Sequence, residues 1–272
     1  MGSSFLITLR EGLEASLVIS ILLSYLVKTN RQSENRVVWC GTLVAIAVCA
    51  IAGTLVYVFV DGLHGRVEQA VEGVIAVAAM LVLTQMIFWM RANARNLGSD
   101  LRNKVDGAKN KALFVIAFVA VFREGLETAL FLLGAKTETA SGWSVVIGGL
   151  IGLVASSALG FAVFKAGSRL KLKTFFNVTA ILLLLFAAGL AGKAVHELRE
   201  LIGWETGLLI TPAWNIETGV WSAGGTFYDF MKGLFGWHAN PERLRVGAYF
   251  VYLIPVLASY LKSSKTDKQL VS

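Results

Sequence analysis

REGLEAS at residues 10–16 returns as REGLETA at 123–129, five consecutive identical residues 113 positions apart, each copy set inside an otherwise apolar stretch. Chance is a poor explanation, because the surroundings repeat too. Each copy lies in the first of three consecutive apolar segments, and the next segment carries a small residue at every fourth position. These are Gly41, Ala45, Cys49 and Gly53 in one unit, and Gly148, Gly152, Ser156 and Gly160 in the other. Such stripes let helix backbones approach closely. The chain therefore reads as two copies of a three-helix unit. Three is odd, so the second copy must enter a membrane from the opposite side. That gives an inverted repeat about a pseudo-twofold axis in the membrane plane, with binding expected where the halves meet.

The apolar segments are long enough to cross a hydrocarbon core roughly 30 Å thick. The 272 residues are 56% hydrophobic and 16% charged, which leaves little outside the spans except short loops. Seven spans are predicted at 5–27, 37–60, 70–90, 112–135, 143–164, 175–195 and 246–261. The fold class is thus an all-α integral membrane protein of seven transmembrane helices, an inverted 3+3 repeat plus a seventh helix. The expected units are residues 1–95 and 96–196 for the two repeats, 197–245 for an outer-face loop with interfacial segments, and 246–272 for the seventh helix and its tail. Arg10, Glu11 and Glu14 break the apolar run that a secretory leader needs, so the first helix is expected to stay in the mature chain.

The net charge of +7 raises the question of nucleic acid, and the placement of the bases answers it. Lys28, Arg31, Arg36, Arg91, Arg95, Arg102, Lys104, Lys109, Lys111, Lys165, Arg169, Lys171, Lys173, Lys262, Lys265 and Lys268 all fall on one side of the seven-span chain. Only Arg66, Lys136, Lys193, Arg199, Lys232, Arg243 and Arg245 fall on the other. Positive-inside counting puts the N-terminus outside and the C-terminus in the cytoplasm. The basic residues then reflect topology and contact with anionic membrane lipid, and no nucleic-acid partner is expected. The outer side holds ten acids against those seven bases, a net acidic face that attracts cations. Cys40 and Cys49, both in the second span, imply neither a disulfide framework nor a thiolate metal site.

On a helix Arg10 and Glu14 lie about 40° apart, and Glu11 and Glu14 about 60°, so each motif gathers its polar side chains on one face. Six charges held near the bilayer centre cost on the order of 15–20 kcal/mol before pairing. Ion pairs that merely hold two helices together are one reading, but the glycine stripes already do that without the desolvation cost. The charges also do not balance, since Glu11, Glu14, Glu124 and Glu127 outnumber Arg10 and Arg123 by two. A buried excess of carboxylate oxygen suits a hard cation such as Mn²⁺ or oxidised iron. The arginines keep the glutamates ionised and oriented. Gly12 and Gly125 leave room for a neighbouring backbone or for the ion.

With two such motifs in helices 1 and 4 of seven, the chain resembles the oxidase-dependent iron transporter family, which holds the fungal high-affinity iron permeases and the bacterial EfeU-type permeases. The likeness extends to VEGVIAVAAMLVLTQMIFWMR (71–91), AAGLAG (187–192), MKGLFGW (231–237) and VYLIP (251–255). The resemblance implies iron bound during translocation by Glu11, Glu14, Glu124 and Glu127, with Arg10 and Arg123 in support. It also implies a high-affinity iron uptake permease of the bacterial cytoplasmic (inner) membrane, with iron as transported substrate and no permanently bound cofactor. The partners it implies are a periplasmic iron-binding protein and a haem peroxidase-type oxidase. Hard oxygen ligands favour Fe³⁺, whereas the bacterial branch is called ferrous; the carried state stays open.

Several residues outside the motifs admit two readings. Glu68 and Glu72, one turn apart at the start of the third span, are either helix N-terminal charge or an entrance or relay station. His196, Glu197 and Glu200 close the sixth span, and the i, i+4 spacing of His196 and Glu200 suits either a solvated helix end or a metal. Trp204, Trp214, Trp221 and Trp237, with His238 nearby, are expected to anchor interfacial segments. Transport of Mn²⁺ or a proton is the rival within transport. An intramembrane di-iron carboxylate oxidase would pair Glu-x-x-His motifs, and neither copy has a histidine, so no enzyme is expected.

Overall fold

A computed structural model describes residues 2–93, 105–138, 142–166, 172–223 and 225–269. Arg95, Arg102, Lys104, Arg169 and Lys171, used above in the charge count, lie outside the described residues. Eight α-helices follow in order among the described residues: α1 Gly2–Lys28, α2 Asn35–Asp61, α3 Arg66–Asn93, α4 Asn110–Glu138, α5 Gly142–Ala166, α6 Leu172–Leu201, α7 Thr226–Phe235 and α8 Arg243–Gln269. Among the described residues the regular structure is helical, with a 3₁₀ turn at Gln32–Glu34, an isolated bridge between Pro212 and Glu242, and turns and loop over 202–223. Each expected span lies inside one long helix. Five helices, α2, α3, α5, α6 and α8, are long and apolar enough to cross a membrane. The other two long ones, α1 and α4, are those that carry the charged motifs.

The outward surfaces are apolar. Leu43, Ile46, Ile51, Leu55, Val58 and Phe59 run exposed along α2, and Phe250, Val251, Ile254 and Leu261 along α8. Contiguous apolar surface on this scale would be insoluble in water and is stable against lipid. Inside, α3 and α6 supply the main core: Ala76, Ala79, Leu83 and Met86 meet Leu183, Phe186, Ala187 and Leu190, joined by Phe131 of α4 and Ile7 of α1.

The long helices pair across the sequence repeat. The most extensive contacts join α1 to α5, α2 to α4 and α3 to α6; α1 and α2, neighbours in sequence, touch little. The small-residue stripes explain the pairing. A Cβ at Gly12 would collide with Ser156 Oγ, and one at Gly160 would lie 2.5 Å from Ser16 Cβ. On the other pair, a Cβ at Gly125 would lie 2.5 Å from Cys49 Sγ, and one at Gly53 3.6 Å from Ala129 Cβ. The two sets occupy equivalent motif positions. The stripe of each three-helix unit thus packs on the REGLE helix of the other unit, and Gly12 and Gly125 admit side chains of α5 and α2 at the seam.

Past α6, which runs on to Leu201, Gly203 at φ 68° turns the chain out of the helix. The stretch 209–216 then returns against 239–244, with Ala213 N–H donating to Pro241 O (2.8 Å) and Leu244 N–H to Leu209 O (2.8 Å). Helix α7 ends on Gly236 in the left-handed region, and a Cβ on Gly189 of α6 would stand 2.9 Å from Gly236 Cα. Only two glycines permit this contact. Trp214 stacks on Trp237, which meets Trp221 edge-on, while Trp204 stands outside that cluster. Their rings face one another, and Trp221 remains 40% exposed.

Candidate metal centre

Both REGLE segments are helical through their whole length, because neither glycine interrupts the ladder and the flanks are strong helix formers. Arg10 is the ninth residue of α1 and Arg123 the fourteenth of α4. The helices must therefore pass with their ends out of step, the offset already visible between the expected spans. Where they pass, carboxylate oxygens of Glu11, Glu14 and Glu124 lie within 4.8 Å of one another, all three side chains buried. Glu127 stands beside this trio rather than in it, one turn further along α4 and 14% exposed.

Each arginine holds one glutamate four residues on. Arg10 Nε lies 3.2 Å from Glu14 Oε1, and Arg123 Nε lies 2.8 Å from Glu127 Oε1. Arg123 Nε is also 3.9 Å from Glu124 Oε1. What the arginines leave over is carboxylate oxygen. Both oxygens of Glu11, with Glu124 Oε2 and Glu127 Oε2, are buried without a hydrogen-bond partner. A buried acceptor without a partner is costly, and here several converge from two helices. The arrangement can hold an oxygen-binding cation, and the absence of sulfur or imidazole in the trio suits a hard one.

The two motifs differ in surroundings. Arg10 is 2% exposed, whereas Arg123 is 43% exposed and lies under the Trp89 ring at 4.8 Å. The identical sequence therefore makes one sealed half-site and one open at its edge.

Residues 1–262 match the Iron permease FTR1 family. This chain belongs to that family. It is 37% identical to the ferrous iron permease EfeU of Escherichia coli O6:H1 over 263 residues, 94% of each chain. The identity is also 37% to EfeU of Escherichia coli O157:H7 over 262 residues, 94% of each chain. Over 259 residues it is 37% identical to EfeU of Yersinia pestis, spanning 93% of this chain and 90% of that one. No solved structure matches. The permease is a transporter rather than an enzyme, and a multi-pass protein of the inner membrane.

The residues weighed as an entrance or relay fall into two groups at one end of the permease. Lys193 Nζ sits between Glu72 Oε2 at 2.8 Å and Glu197 Oε1 at 3.4 Å, joining α3 to α6. Beside it, His196 Nε2 lies 3.4 Å from Glu200 Oε1 and its Nδ1 3.2 Å from Glu242 Oε1. Arg199 Nη2 is 3.3 Å from Glu200 Oε1 and 2.9 Å from Glu242 Oε1, and Gln69 donates to Glu200 Oε2 at 2.9 Å. Glu68 is half-buried in the first turn of α3 and joins neither group. His64, turned onto Gly62 O at 3.0 Å, is likewise apart.

Lys193 and Glu242 are the residues that sequence reasoning passed over. Lys193 had a usable signal, since an ionisable group directly after the apolar run AAGLAG stands as a functional candidate by default. Glu242 had none, because only tertiary folding brings the far end of the 202–242 segment back onto α6.

Proposed function

We propose that the permease carries iron inward across the cytoplasmic membrane through Glu11, Glu14 and Glu124, with Glu127 completing the set. The observation that carries this reading is the convergence of three buried carboxylates from two helices within 4.8 Å, several of their oxygens unpartnered. Arg10 and Arg123 orient Glu14 and Glu127 and give each an alternative partner when the ion leaves. All seven long helices cross the membrane in this reading, N-terminus outside and C-terminus cytoplasmic, and residues 1–95 and 96–196 form the inverted repeats. The exchanged packing supports it, because a twofold axis that swaps the units maps α1 on α5 onto α4 on α2 and leaves α3 on α6 unchanged. The hydrocarbon penalty on α1 and α4 is met by their mutual contact and by pairing within each motif.

The cargo is Fe³⁺, or Fe²⁺ oxidised by a partner. An all-oxygen site favours the harder ion, although the relatives bear the ferrous name. The family resemblance supplies the partners proposed here, a periplasmic iron-binding protein and a haem peroxidase-type oxidase. Glu72 and Glu197, with Lys193 between them, form the outer relay toward the trio. Mn²⁺ is the rival cargo, since it too accepts carboxylate oxygen.

Radioactive iron uptake into proteoliposomes, with Fe²⁺ and Fe³⁺ supplied separately and Mn²⁺ as competitor, tests this reading. Folded Glu14→Gln and Glu127→Gln variants are expected to lose uptake. Normal transport by both would make the motifs structural ion pairs and overturn the site.

A further inference from the structure

The open edge of the second motif lies on the outward face of α4. Val115, Val119, Arg123 and Leu126 recur there at helical spacing, and all four are exposed. Arg123 is the charge in that stripe, halfway along the helix and 43% exposed. Helix α3 touches α4 and presents a stripe of its own, Val77, Leu81, Gln85 and Trp89, exposed throughout. Two apolar faces thus lie side by side, and each carries one strongly hydrogen-bonding side chain.

The two polar residues share a depth. The Arg123 guanidinium stands over the Trp89 ring at 4.8 Å, and Gln85 is one turn before Trp89 on the same face of α3. A helical side chain leans toward the N-terminus of its own helix. Since consecutive spans run antiparallel, the Arg123 backbone is set back from Trp89 toward the level of Gln85. Arg123 Nε donates to Glu127 Oε1 at 2.8 Å, and among the described residues neither Nη nor the Gln85 amide has a hydrogen-bond partner. Hydrocarbon offers them none. No polar wall leads from them to either membrane surface, because Val115 and Val119 continue the α4 stripe one way, Leu126 the other, and Leu81 and Val77 lie beyond Gln85.

We propose that this face packs on a second copy of the chain, the two related by a twofold axis along the membrane normal. Guanidinium donors on α4 and an amide oxygen on α3 at one depth make the face self-complementary. Under such an axis Gln85 of each copy accepts from Arg123 Nη of the other, so both pairs close at once. Glutamine side chains hydrogen-bond between helices inside membranes in this way. A different membrane protein would have to bring its own matching pair at that depth, whereas a second copy brings it by symmetry. Gln85 is then a positioning residue for the neighbouring site. It holds the Nη groups while Nε holds Glu127, and so closes the half-site that one copy leaves open. The proposal rests on the reading in which α4 crosses the membrane, and not on the cargo.

Cross-linking in native membranes tests it. With Cys40 and Cys49 replaced by alanine, one tagged copy carries Leu81→Cys and a differently tagged copy carries Leu126→Cys, each a turn beyond the polar pair on its own stripe. A short bis-maleimide is expected to give a doubly tagged product. Copies carrying Val154→Cys, 70% exposed on α5, are expected to give none. Gln85→Leu and Gln85→Ala, each placed in both copies, should lower the product at least threefold without moving the unfolding midpoint. No doubly tagged product, cross-linking through Val154 alone, or a yield unchanged in both Gln85 variants overturns the proposal. Val119→Cys separates this from a failure of the reading beneath it. It should stay unreactive toward an aqueous maleimide in intact and in opened cells; reaction there would take α4 out of the membrane and overturn both. Iron is absent throughout, so the uptake test stands whatever the cross-link shows.

Discussion

At the scale of single residues, the two arginines answer to one motif and differ in what surrounds them. Arg10 is sealed against Glu14, so Arg10→Ala leaves a buried carboxylate without its partner, a loss of about 3–5 kcal/mol. Arg123→Ala should cost less, since Arg123 and Glu127 are 43% and 14% exposed against 2% and 5% for Arg10 and Glu14. Thermal unfolding of the two variants in the same detergent checks the order, and equal losses would contradict it. Glu11 gives a sharper contrast. Neither of its oxygens has a partner, so Glu11→Gln removes a desolvated charge and should leave the unfolding midpoint unchanged or higher, while iron uptake disappears. A site residue that is dispensable for folding but needed for transport is hard to reconcile with a structural ion pair. The pairing of Glu11 with Glu14 was legible in the sequence from helical spacing, and the repeat set Glu124 and Glu127 together opposite them. The separation of Glu127 from the trio was not legible, because it depends on how α4 is turned against α1.

At the scale of elements, the fourfold spacing of small residues announced two seams but not their partners. Period fixes which face of a helix is narrow; the partner depends on which helix is brought alongside, and here it comes from the opposite repeat. Gly149 and Gly152 of α5 make a controlled comparison. A Cβ at Gly149 meets Thr8 Cγ2 at an ordinary 3.6 Å, whereas one at Gly152 lies 2.6 Å from the Phe5 carbonyl and 3.0 Å from Leu9 N. Gly149→Ala is therefore expected to be neutral or mildly stabilising. Gly152→Ala should cost roughly 1–3 kcal/mol, because backbone cannot rotate out of the way as a side chain can. Guanidinium denaturation or thermal unfolding would show it, and equal behaviour would mean that α1 and α5 sit further apart. Helix α7 was legible only as a stretch of interfacial character. Ten residues are too few to read a firm helical period, and its docking depends on two glycines 47 positions apart in sequence.

At the scale of the molecule, the seven long helices each contain an apolar stretch legible in the sequence, because such stretches favour unbroken helix. Helices α6 and α8 nonetheless run six and eight residues past the expected ends, where polar sequence gives no apolar signal. The group around Glu242 was not legible, since nothing local ties it to His196. Orientation is the remaining whole-molecule proposal, and it rests on charge alone. Lys28 lies exposed at the end of α1, next to a cluster of bases, and Thr218 lies exposed in the segment after α6. With Cys40 and Cys49 replaced by alanine, a cysteine at Thr218 should react in intact cells with a membrane-impermeant maleimide. A cysteine at Lys28 should react only after the cells are opened. Reversal of the two would place the Glu72, Lys193 and Glu197 group on the cytoplasmic side. The Lys193 bridge would then lie on the exit side of the glutamate trio for an ion moving inward, a release station rather than an entrance. The same pair of labels therefore tests topology and decides whether the Lys193 group is entrance or exit, which the uptake of iron into vesicles of mixed orientation cannot do.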